Sequence, residues 1–489
     1  MDMTAPDTQK WEAVIGIEVH VELRTASKMF CGCPVSFGAE PNTSICPVCL
    51  GLPGALPVTN VTAIEWLEMI GLALNCSIAT HSVFHRKNYF YADLTKNYQI
   101  SQFDLPVCTD GWLELGVDGK QVRVGIERAH MEEDTGKSLH QGQGGRIHSA
   151  TSTLLDFNRS GVPLVEIVSR PDLRTAAQAR AYAQELRAVV AELGVSDARM
   201  EEGSIRFDAN VSIRPRGEPV YGVKIEIKNM NSFRSLEKAI ASEITRQIQF
   251  VEGGGVLTQE TRHWDEEAGT TRGMRSKEGS SDYRYFTEPD LVPMEFPTDE
   301  VEKLRAGLPE LPAQRQLRFA SLGLDDQLAA VLSGSEPGAR RIFDEAVAMG
   351  ADPVLAANWM TGDITAAVRK LEVAVDALPL SGSDLAELIG LVVEGRVSSS
   401  AAKEVLAGVL SGEGKPTQVA EARDLIQVSD EAYIAAAVGE ILAANPDAIE
   451  RFRGGEDKVL GFLVGQVMRS TGGKADPKLV NSLLRQRLS

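Results

Sequence analysis

The sequence lacks an apolar stretch long enough to cross a bilayer, which takes about 18 consecutive apolar residues. It also lacks a basic segment followed by an apolar run between Met1 and Lys10, so no secretory signal is predicted. This segment is not rich in arginine, which argues against an organelle transit peptide. We therefore predict a cytoplasmic protein that is not inserted in a membrane.

The common glycine-rich phosphate-binding motifs are missing too. Gly136-Lys137-Ser138 lacks the glycine that a P-loop has five residues before its GK pair, and neither G-x-G-x-x-G nor G-x-S-x-G occurs. If the protein uses a nucleotide, a metal ion and basic side chains must therefore hold its phosphates.

Positive charge is scarce, and the formal net charge is −18. This charge disfavours nonspecific coating of nucleic acid, because the long-range field repels phosphates. A local basic surface can still bind RNA. The last segment, from Leu460 onward, is such a place, because Asp476 is its single acid against Arg469, Lys474, Lys478, Arg485 and Arg487.

Cysteines are few, with six in the chain, and four of them cluster. Cys31 and Cys33 form one close pair, Cys46 and Cys49 form another, and twelve residues separate the two pairs. Two such pairs suit tetrahedral Zn²⁺ bound by four thiolates, and four protein ligands leave no open coordination position. We predict a structural zinc site; the alternative is four free thiols.

The character of the sequence changes near residue 295. Strand-like alternation and polar turns dominate before this point, whereas the later part is rich in Ala, Leu, Val and Glu at helical spacing. One helical stretch follows a predicted N-cap at Ser383, ends near Gly395 and contains Leu385, Leu388, Ile389 and Val392.

This change predicts an α+β fold followed by helical domains. We place an α+β domain at residues 1–295, an all-α domain at 296–411 and a small all-α tail at 412–489. The alternative is one continuous helical domain from residue 300 to residue 489.

Three segments of the first domain alternate apolar with polar residues. In residues 14–23 the odd positions are apolar, while Glu18, His20 and Glu22 occupy even positions. Residues 204–214 and 223–228 repeat the pattern, the first with Arg206 and Asp208 and the second with Glu226 and Lys228. Such strands predict an antiparallel sheet with one face on helices and a polar face open to a ligand. The alternative is an ordinary solvated face.

Glu166 lies inside the apolar run PLVEIV, where a carboxylate is costly to bury unless it is paired or bound to a metal. The alternative is an edge strand with this side chain in water. Further acids follow His130 in the segment HMEED. We predict that Glu18, His20, Glu133 and Glu166 form a site for Mg²⁺, because carboxylate oxygens and nucleotide phosphates suit this cation.

Residues 85–99 interleave basic and aromatic side chains, a mixture that binds phosphates and stacks bases. The alternative is a strand and turn with half-buried aromatic rings. From charge and strand face alone, the candidate nucleotide-binding cations are Lys87, Arg206 and Lys228.

Blocks along nearly the whole chain resemble one family, in the family's order. They include VIGIEVHVEL, RKNYFYADL, HMEEDTGKS, DFNRSGVPLVEIVSRPD, RMEEGSIRFDANVSIRP, DYRYFTEPDLVP and, near the end, GFLVGQVMRSTGGKADPKLVNSLL. The sequence is thereby similar to the B subunits of bacterial aspartyl/glutamyl-tRNA amidotransferases.

This resemblance implies a cradle domain with the glutamine synthetase fold and a tail that binds tRNA. It implies that ATP phosphorylates the side-chain carboxylate of Glu-tRNA(Gln) or Asp-tRNA(Asn), and that ammonia then displaces phosphate. The family's metal and catalytic positions fall on Glu18, His20, Glu133 and Glu166. The chain shows no amidase Ser/Lys signature. The resemblance therefore implies a heterotrimer in which the A subunit, an amidase, supplies ammonia and the small C subunit holds the other two together.

Two other functions remain open from the sequence. One is a noncatalytic scaffold that binds tRNA while a partner performs the ATP chemistry. The other is a stand-alone ligase that joins an amine to the carboxylate of a free metabolite.

Overall fold

The structure is a computed structural model that describes residues 10–117, 119–141, 151–274, 283–427, 431–454, 456–472 and 475–488. Lys474 of the basic tail segment lies outside the described residues. The chain divides into two compact units, Met1–Ala313 and Gln314–Ser489.

The first unit is built on strands. Its strands are β1 (Trp11–Glu22), β2 (Ser77–Ile78), β3 (His81–Ser82), β4 (His85–Asn88), β5 (Tyr98–Ser101), β6 (Cys108–Val117), β7 (Lys120–Glu133), β8 (Lys137–Gln141), β9 (Ser152–Asp156), β10 (Pro163–Ser169), β11 (Ile205–Pro215), β12 (Ile225–Lys228), β13 (Glu260–Asp265), β14 (Thr270–Gly273), β15 (Phe286–Thr287) and β16 (Met294–Glu295). Its helices are α1 (Val61–Ala73), α2 (Ala176–Leu193), α3 (Phe233–Glu252) and α4 (Thr298–Ala306).

A nine-stranded sheet forms the centre of this unit, in the order β14-β13-β12-β11-β1-β10-β7-β6-β2. Neighbouring strands are antiparallel except β12 and β13, which are parallel. The prediction of an antiparallel sheet is therefore wrong for this pair. Parallel neighbours need a crossover connection, and α3 supplies it.

The central strands have one apolar and one polar face, as their alternation predicts. On β1 the side chains of Ile15, Ile17, Val19 and Val21 are buried, in one core with residues of α1, α2 and α3. Burial of each such side chain contributes about 1.5–3 kcal/mol. Glu18 and the other polar residues of the strand therefore point to the opposite face, where they are partly exposed.

Side-chain caps fix where the core helices begin. Asn60 accepts a hydrogen bond from the amide of Ala63 at the start of α1, and Thr175 accepts one from Gln178 at the start of α2. Gly194 ends α2 in the left-handed region, with φ 69°. These helices pack on the apolar face of the sheet and leave the polar face to other elements.

The second unit is helical. Its first helix, α5 (Pro312–Ser321), begins with the last two residues of the first unit. The other helices are α6 (Asp326–Ser333), α7 (Pro337–Ala348), α8 (Pro353–Trp359), α9 (Thr365–Leu371), α10 (Gly382–Val393), α11 (Ser399–Leu410), α12 (Pro416–Ala422), α13 (Glu431–Ala444), α14 (Pro446–Arg453), α15 (Lys458–Ser470) and α16 (Pro477–Leu488). A π-helical turn, Met360–Ile364, joins α8 to α9. Among the described helices, none combines the length and apolarity needed to cross a bilayer.

Two separate hydrophobic clusters stabilise these helices. One contains residues from Phe319 to Ala420, and the other contains residues from Ile434 to Leu488. The structure shows a mixed α/β part followed by a helical part. The finer division into domains at 1–295, 296–411 and 412–489 stays a prediction.

The start of α10 corrects one sequence-based prediction. Its N-cap is Ser381, whereas Ser383 was predicted. The Ser381 hydroxyl accepts a hydrogen bond from the amide of Asp384, whose carboxylate accepts one from the Ser381 amide. This reciprocal capping box moves the helix start two residues earlier.

Candidate functional site

A row of ionisable side chains crosses four adjacent strands of the central sheet. His130 on β7 is the register partner of Glu166 on β10, Glu166 is opposite His20 on β1, and His20 is opposite Arg206 on β11. Residues directly opposite each other on paired strands carry their side chains on the same face. Groups far apart in the sequence therefore meet on the polar face.

His20 lies at the centre of this row. Its Nε2 atom is 3.6 Å from Oε1 of Glu18, 3.6 Å from Oε2 of Glu166 and 3.9 Å from Oε1 of Glu132. Asp208, the register partner of Glu18, brings a carboxylate oxygen into the same neighbourhood. We call Glu18, His20, Glu132, Glu166 and Asp208 the acidic cluster.

Three of the four predicted magnesium ligands meet here, but Glu133 does not. Its Oε1 atom pairs with Lys96 and accepts a hydrogen bond of 2.9 Å from the amide of Ile100. Among the described residues, Glu133 belongs to no group whose donor atoms converge as metal ligands would. The geometry favours Glu132 in its place, and a metal-binding role for Glu133 stays a prediction.

Strand parity explains this difference and could have been used on the sequence. His130 and Glu132 are two residues apart on β7, so their side chains share a face, whereas Glu133 points to the other face. This use of strand parity requires that β7 continue as far as Glu133. A run of three consecutive acids does not indicate a strand. Asp208 belongs to the polar row of residues 204–214, but it is not among the predicted magnesium ligands.

Glu166 is buried, with 7% of its surface exposed. β10 lies between β1 and β7, so the alternative of an edge strand is wrong. Burial raises the pKa of the Glu166 carboxyl, but the adjacent His130, His20 and Lys87 lower it more and hold it well below its usual range. Glu166 is therefore an anion inside the protein.

The other groups of the acidic cluster carry opposing pKa shifts. Burial, followed by repulsion from Glu166, raises the pKa of Glu18 to about 7. Burial by itself lowers the pKa of His20. Glu166 and the neighbouring carboxylates raise it by more, so the pKa rises from 6.5 to about 9. Crowded carboxylates repel one another, and a bound cation relieves that repulsion. The donor set, mostly carboxylate oxygens, thus fits a hard divalent cation such as Mg²⁺.

Lys87 borders the acidic cluster on β4. Its Nζ atom is 3.8 Å from Oε2 of Glu132 and 5.2 Å from the centre of the Tyr283 ring. Burial lowers its pKa, but the charges of Glu132 and Glu166 raise it more. Nearby, Phe103 stacks on Tyr285 with ring centres 4.3 Å apart, so a cation and open aromatic surface lie beside the acids.

The other two predicted cations lie on the neighbouring strands. Arg206 on β11 bonds Oε1 of Glu22 at 3.0 Å and Oδ2 of Asp134 at 2.9 Å. Lys228 on β12 bonds Oδ2 of Asp208 at 2.6 Å. The structure therefore places Lys87, Arg206 and Lys228 around the acidic cluster, each already paired with an acid.

The four clustered cysteines also converge. The sulfur atoms of Cys31, Cys33, Cys46 and Cys49 lie within 4.8 Å of one another, and Cys49 is buried. A hydrogen bond from Cys31 lowers the pKa of Cys49 to about 5, which favours a thiolate at this position. The arrangement fits a structural metal ion held by four sulfurs.

Comparison with known proteins shows the family of the chain. The family model of the GatB/GatE catalytic domain matches residues 13–302, and that of the GatB domain matches residues 341–488. The B subunit of the aspartyl/glutamyl-tRNA(Asn/Gln) amidotransferase of Synechococcus elongatus is 52% identical, with all of both chains covered. The B subunits of the same name from Moorella thermoacetica and Frankia casuarinae are 51% and 50% identical, with 98% of this chain and 100% and 96% of theirs covered.

These matches extend along the whole chain and confirm the resemblance seen in the sequence blocks. The chain belongs to the family of aspartyl/glutamyl-tRNA amidotransferase B subunits.

Proposed function

We propose that this protein activates the side-chain carboxylate of Glu-tRNA(Gln) or Asp-tRNA(Asn) by phosphorylating it with ATP. Ammonia then displaces the phosphate and gives Gln-tRNA(Gln) or Asn-tRNA(Asn), so the complex is a ligase that forms a carbon–nitrogen bond. The observation that carries this proposal is the convergence of four carboxylates on His20 at one face of the central sheet.

The chemistry requires such a site. A carboxylate is a poor electrophile, because its leaving group would be oxide. Transfer of the γ-phosphoryl group to the carboxylate converts that oxygen into part of a phosphate, which can leave. Mg²⁺, when bound, neutralises charge on the transferring group. Two sets of converging groups that share His20 would hold it, one with Glu18 and Asp208 and the other with Glu132 and Glu166.

The bordering cations then bind and orient the substrates. Lys87 forms an ion pair with Glu132 and Lys228 donates a hydrogen bond to Asp208, so both are positioned to contact nucleotide phosphates near the metal. Arg206 is held by Glu22 and Asp134, which fixes the direction of its guanidinium group. The aromatic surface beside Lys87 suits stacking of a nucleobase.

The reaction requires ammonia from a partner subunit. This chain has no amidase signature, so ammonia comes from glutamine on the A subunit, which is an amidase. The small C subunit holds the A and B subunits together in a heterotrimer. The tail domain binds tRNA, the four cysteines hold a structural Zn²⁺, and the cradle has the glutamine synthetase fold. The complex works in the cytoplasm.

ATP turnover by the purified complex of this chain with the A and C subunits tests the proposal. We expect release of ADP only when Glu-tRNA(Gln) or Asp-tRNA(Asn) is present, and its loss in Glu166→Gln. A matched control is Glu114→Gln, at a half-exposed acid of β6 that pairs with Arg123. Turnover with free glutamate and no tRNA would favour the stand-alone ligase. Full turnover in Glu166→Gln, with tRNA bound, would favour the noncatalytic scaffold.

A further inference from the structure

Lys28 is the one buried lysine among the residues that the structure describes, with 1% of its surface exposed. Its Nζ atom donates to the carbonyl oxygen of Ser44 at 2.8 Å and to that of Phe157 at 3.3 Å. Its third neighbour is the sulfur of Cys49, at 3.8 Å. Carbonyl groups solvate an ammonium group but do not cancel its charge.

Burying an ammonium group without an opposing charge costs on the order of several kcal/mol. Of the described hydrogen-bond contacts of the Lys28 ammonium group, the one with a group that can become an anion is with the sulfur of Cys49, one of the four converging sulfurs. Four thiolates around a divalent cation leave two negative charges in excess. The lysine and the sulfur cluster therefore have complementary charges at contact distance.

We propose that Lys28 is the buried counter-charge of a zinc site formed by Cys31, Cys33, Cys46 and Cys49, and that it ties this site to the loop of residues 157–161. The charge of Lys28 stabilises the metal-loaded thiolates. The loaded thiolates in turn stabilise the buried lysine. Zinc binding and the order of this loop are thereby coupled.

The loop has several further bonds to the cysteine segment. The Ser160 hydroxyl donates to the carbonyl oxygen of Cys49 at 3.4 Å, and the Asn158 side chain accepts from the amide of Ser44 at 2.8 Å. The loop ends two residues before β10 begins at Pro163, and Glu166 follows on the same strand. Zinc at this site therefore affects the order of the segment that leads into β10, the strand that carries Glu166.

Zinc affinity of the full chain, measured by competition with a chromophoric chelator, tests the proposal. Lys28→Met removes the charge and the hydrogen-bond donors, whereas Lys28→Gln removes the charge but keeps an N–H donor. We expect both to bind zinc about 10–100-fold more weakly, the loss typical of partners behind metal ligands. Lys120→Met, at the exposed first residue of β7, is the control and should bind as the wild type does. Wild-type affinity in a folded Lys28→Gln variant would overturn the counter-charge role.

A second measurement needs no variant, in case neither substitution folds. Hydrogen exchange of the wild-type chain is compared before and after zinc is removed by a chelator. We expect residues 157–161 to exchange faster without zinc, while the hairpin of β6 and β7 near Lys120 is unchanged. Equal exchange of 157–161 in both states, or no stoichiometric zinc in the purified chain, would overturn the proposal.

Discussion

Glu132 and Glu133 are neighbours in the sequence, yet their carboxylates lie in different environments. Oε1 of Glu132 is 3.9 Å from Nε2 of His20, whereas Oε1 of Glu133 accepts a hydrogen bond from the amide of Ile100. Glu132 thus belongs to the acidic cluster, and Glu133 joins β7 to β5. Substitution of each residue can separate the two roles.

We expect Glu132→Gln to lower tRNA-dependent ATP turnover at least about 100-fold, because it removes a charge that acts on the transferring group. Glu133→Gln keeps the side-chain shape and one acceptor oxygen, so turnover should fall far less. Initial rates at saturating Mg²⁺ check this. An inactive Glu133→Gln beside an active Glu132→Gln would restore Glu133 as the ligand and contradict the geometry.

Substitution of Lys87 tests its proposed role in nucleotide binding separately from tRNA binding. Its Nζ lies between Glu132 and the Tyr283 ring, so Lys87→Gln should raise the KM for ATP about tenfold or more, the effect of losing a charged hydrogen bond. The Kd for mischarged tRNA should stay unchanged, as it should in the exposed control Lys120→Gln. A changed Kd for tRNA with an unchanged KM for ATP would assign Lys87 to the tRNA.

Glu68 on α1 makes stability depend on pH, away from the candidate site. Burial, followed by repulsion from Glu65 and Glu300, raises its pKa from 4.5 to about 7. The folded state therefore binds this proton more tightly than the unfolded state, and stability falls as pH rises from about 4.5 to 7. Removing the charge of Glu68 should therefore leave the stability unchanged below this window and raise it by the full amount above it.

We accordingly expect Glu68→Gln to be more stable than the wild type at pH about 8, by about 1–2 kcal/mol, and equally stable at pH about 4. Urea unfolding at the two pH values measures the difference. The control is Glu218→Gln, at an exposed position. A stabilisation that is equal at both pH values would show that the charge of Glu68 is not its cause.

The basic tail segment should provide part of the tRNA affinity. Arg469 and Lys478 are exposed, so the double substitution Arg469→Glu/Lys478→Glu removes two cations from the surface. We expect weaker tRNA binding and a salt dependence whose slope falls by about 1–2. Filter binding at several salt concentrations measures both quantities. An unchanged affinity and slope would place the tRNA contacts elsewhere.

The sequence predicts which side chains of each strand face the site better than it predicts which strands pair with one another. Alternation on β1 separates Glu18 and His20 from the core, because side-chain direction in a strand is local. Which strand pairs with which is not local. The contact of His20 with Glu166 joins residues more than a hundred positions apart, through a register that β1 and β10 adopt only in the packed sheet.

Two further differences between the sequence-based predictions and the geometry have the same origin. The choice of Glu133 over Glu132 came from a segment with three consecutive acids, where the end of β7 decides the faces. The cap of α10 is Ser381 and not Ser383 because Asp384 bonds back to it, an arrangement that neighbouring serines obscure. In both cases several residues of suitable chemistry compete, and the surrounding structure selects one.

In the proposed reaction, the carboxylate of the aminoacyl group takes the phosphoryl group before it is amidated. The direct test uses mischarged tRNA whose side-chain carboxylate carries a heavy oxygen isotope, with ATP, glutamine and the assembled complex. Mass spectrometry of the released phosphate should find the heavy isotope, since the carboxylate oxygen leaves with the phosphate. Phosphate without the heavy isotope, formed together with amidated tRNA, would contradict the account.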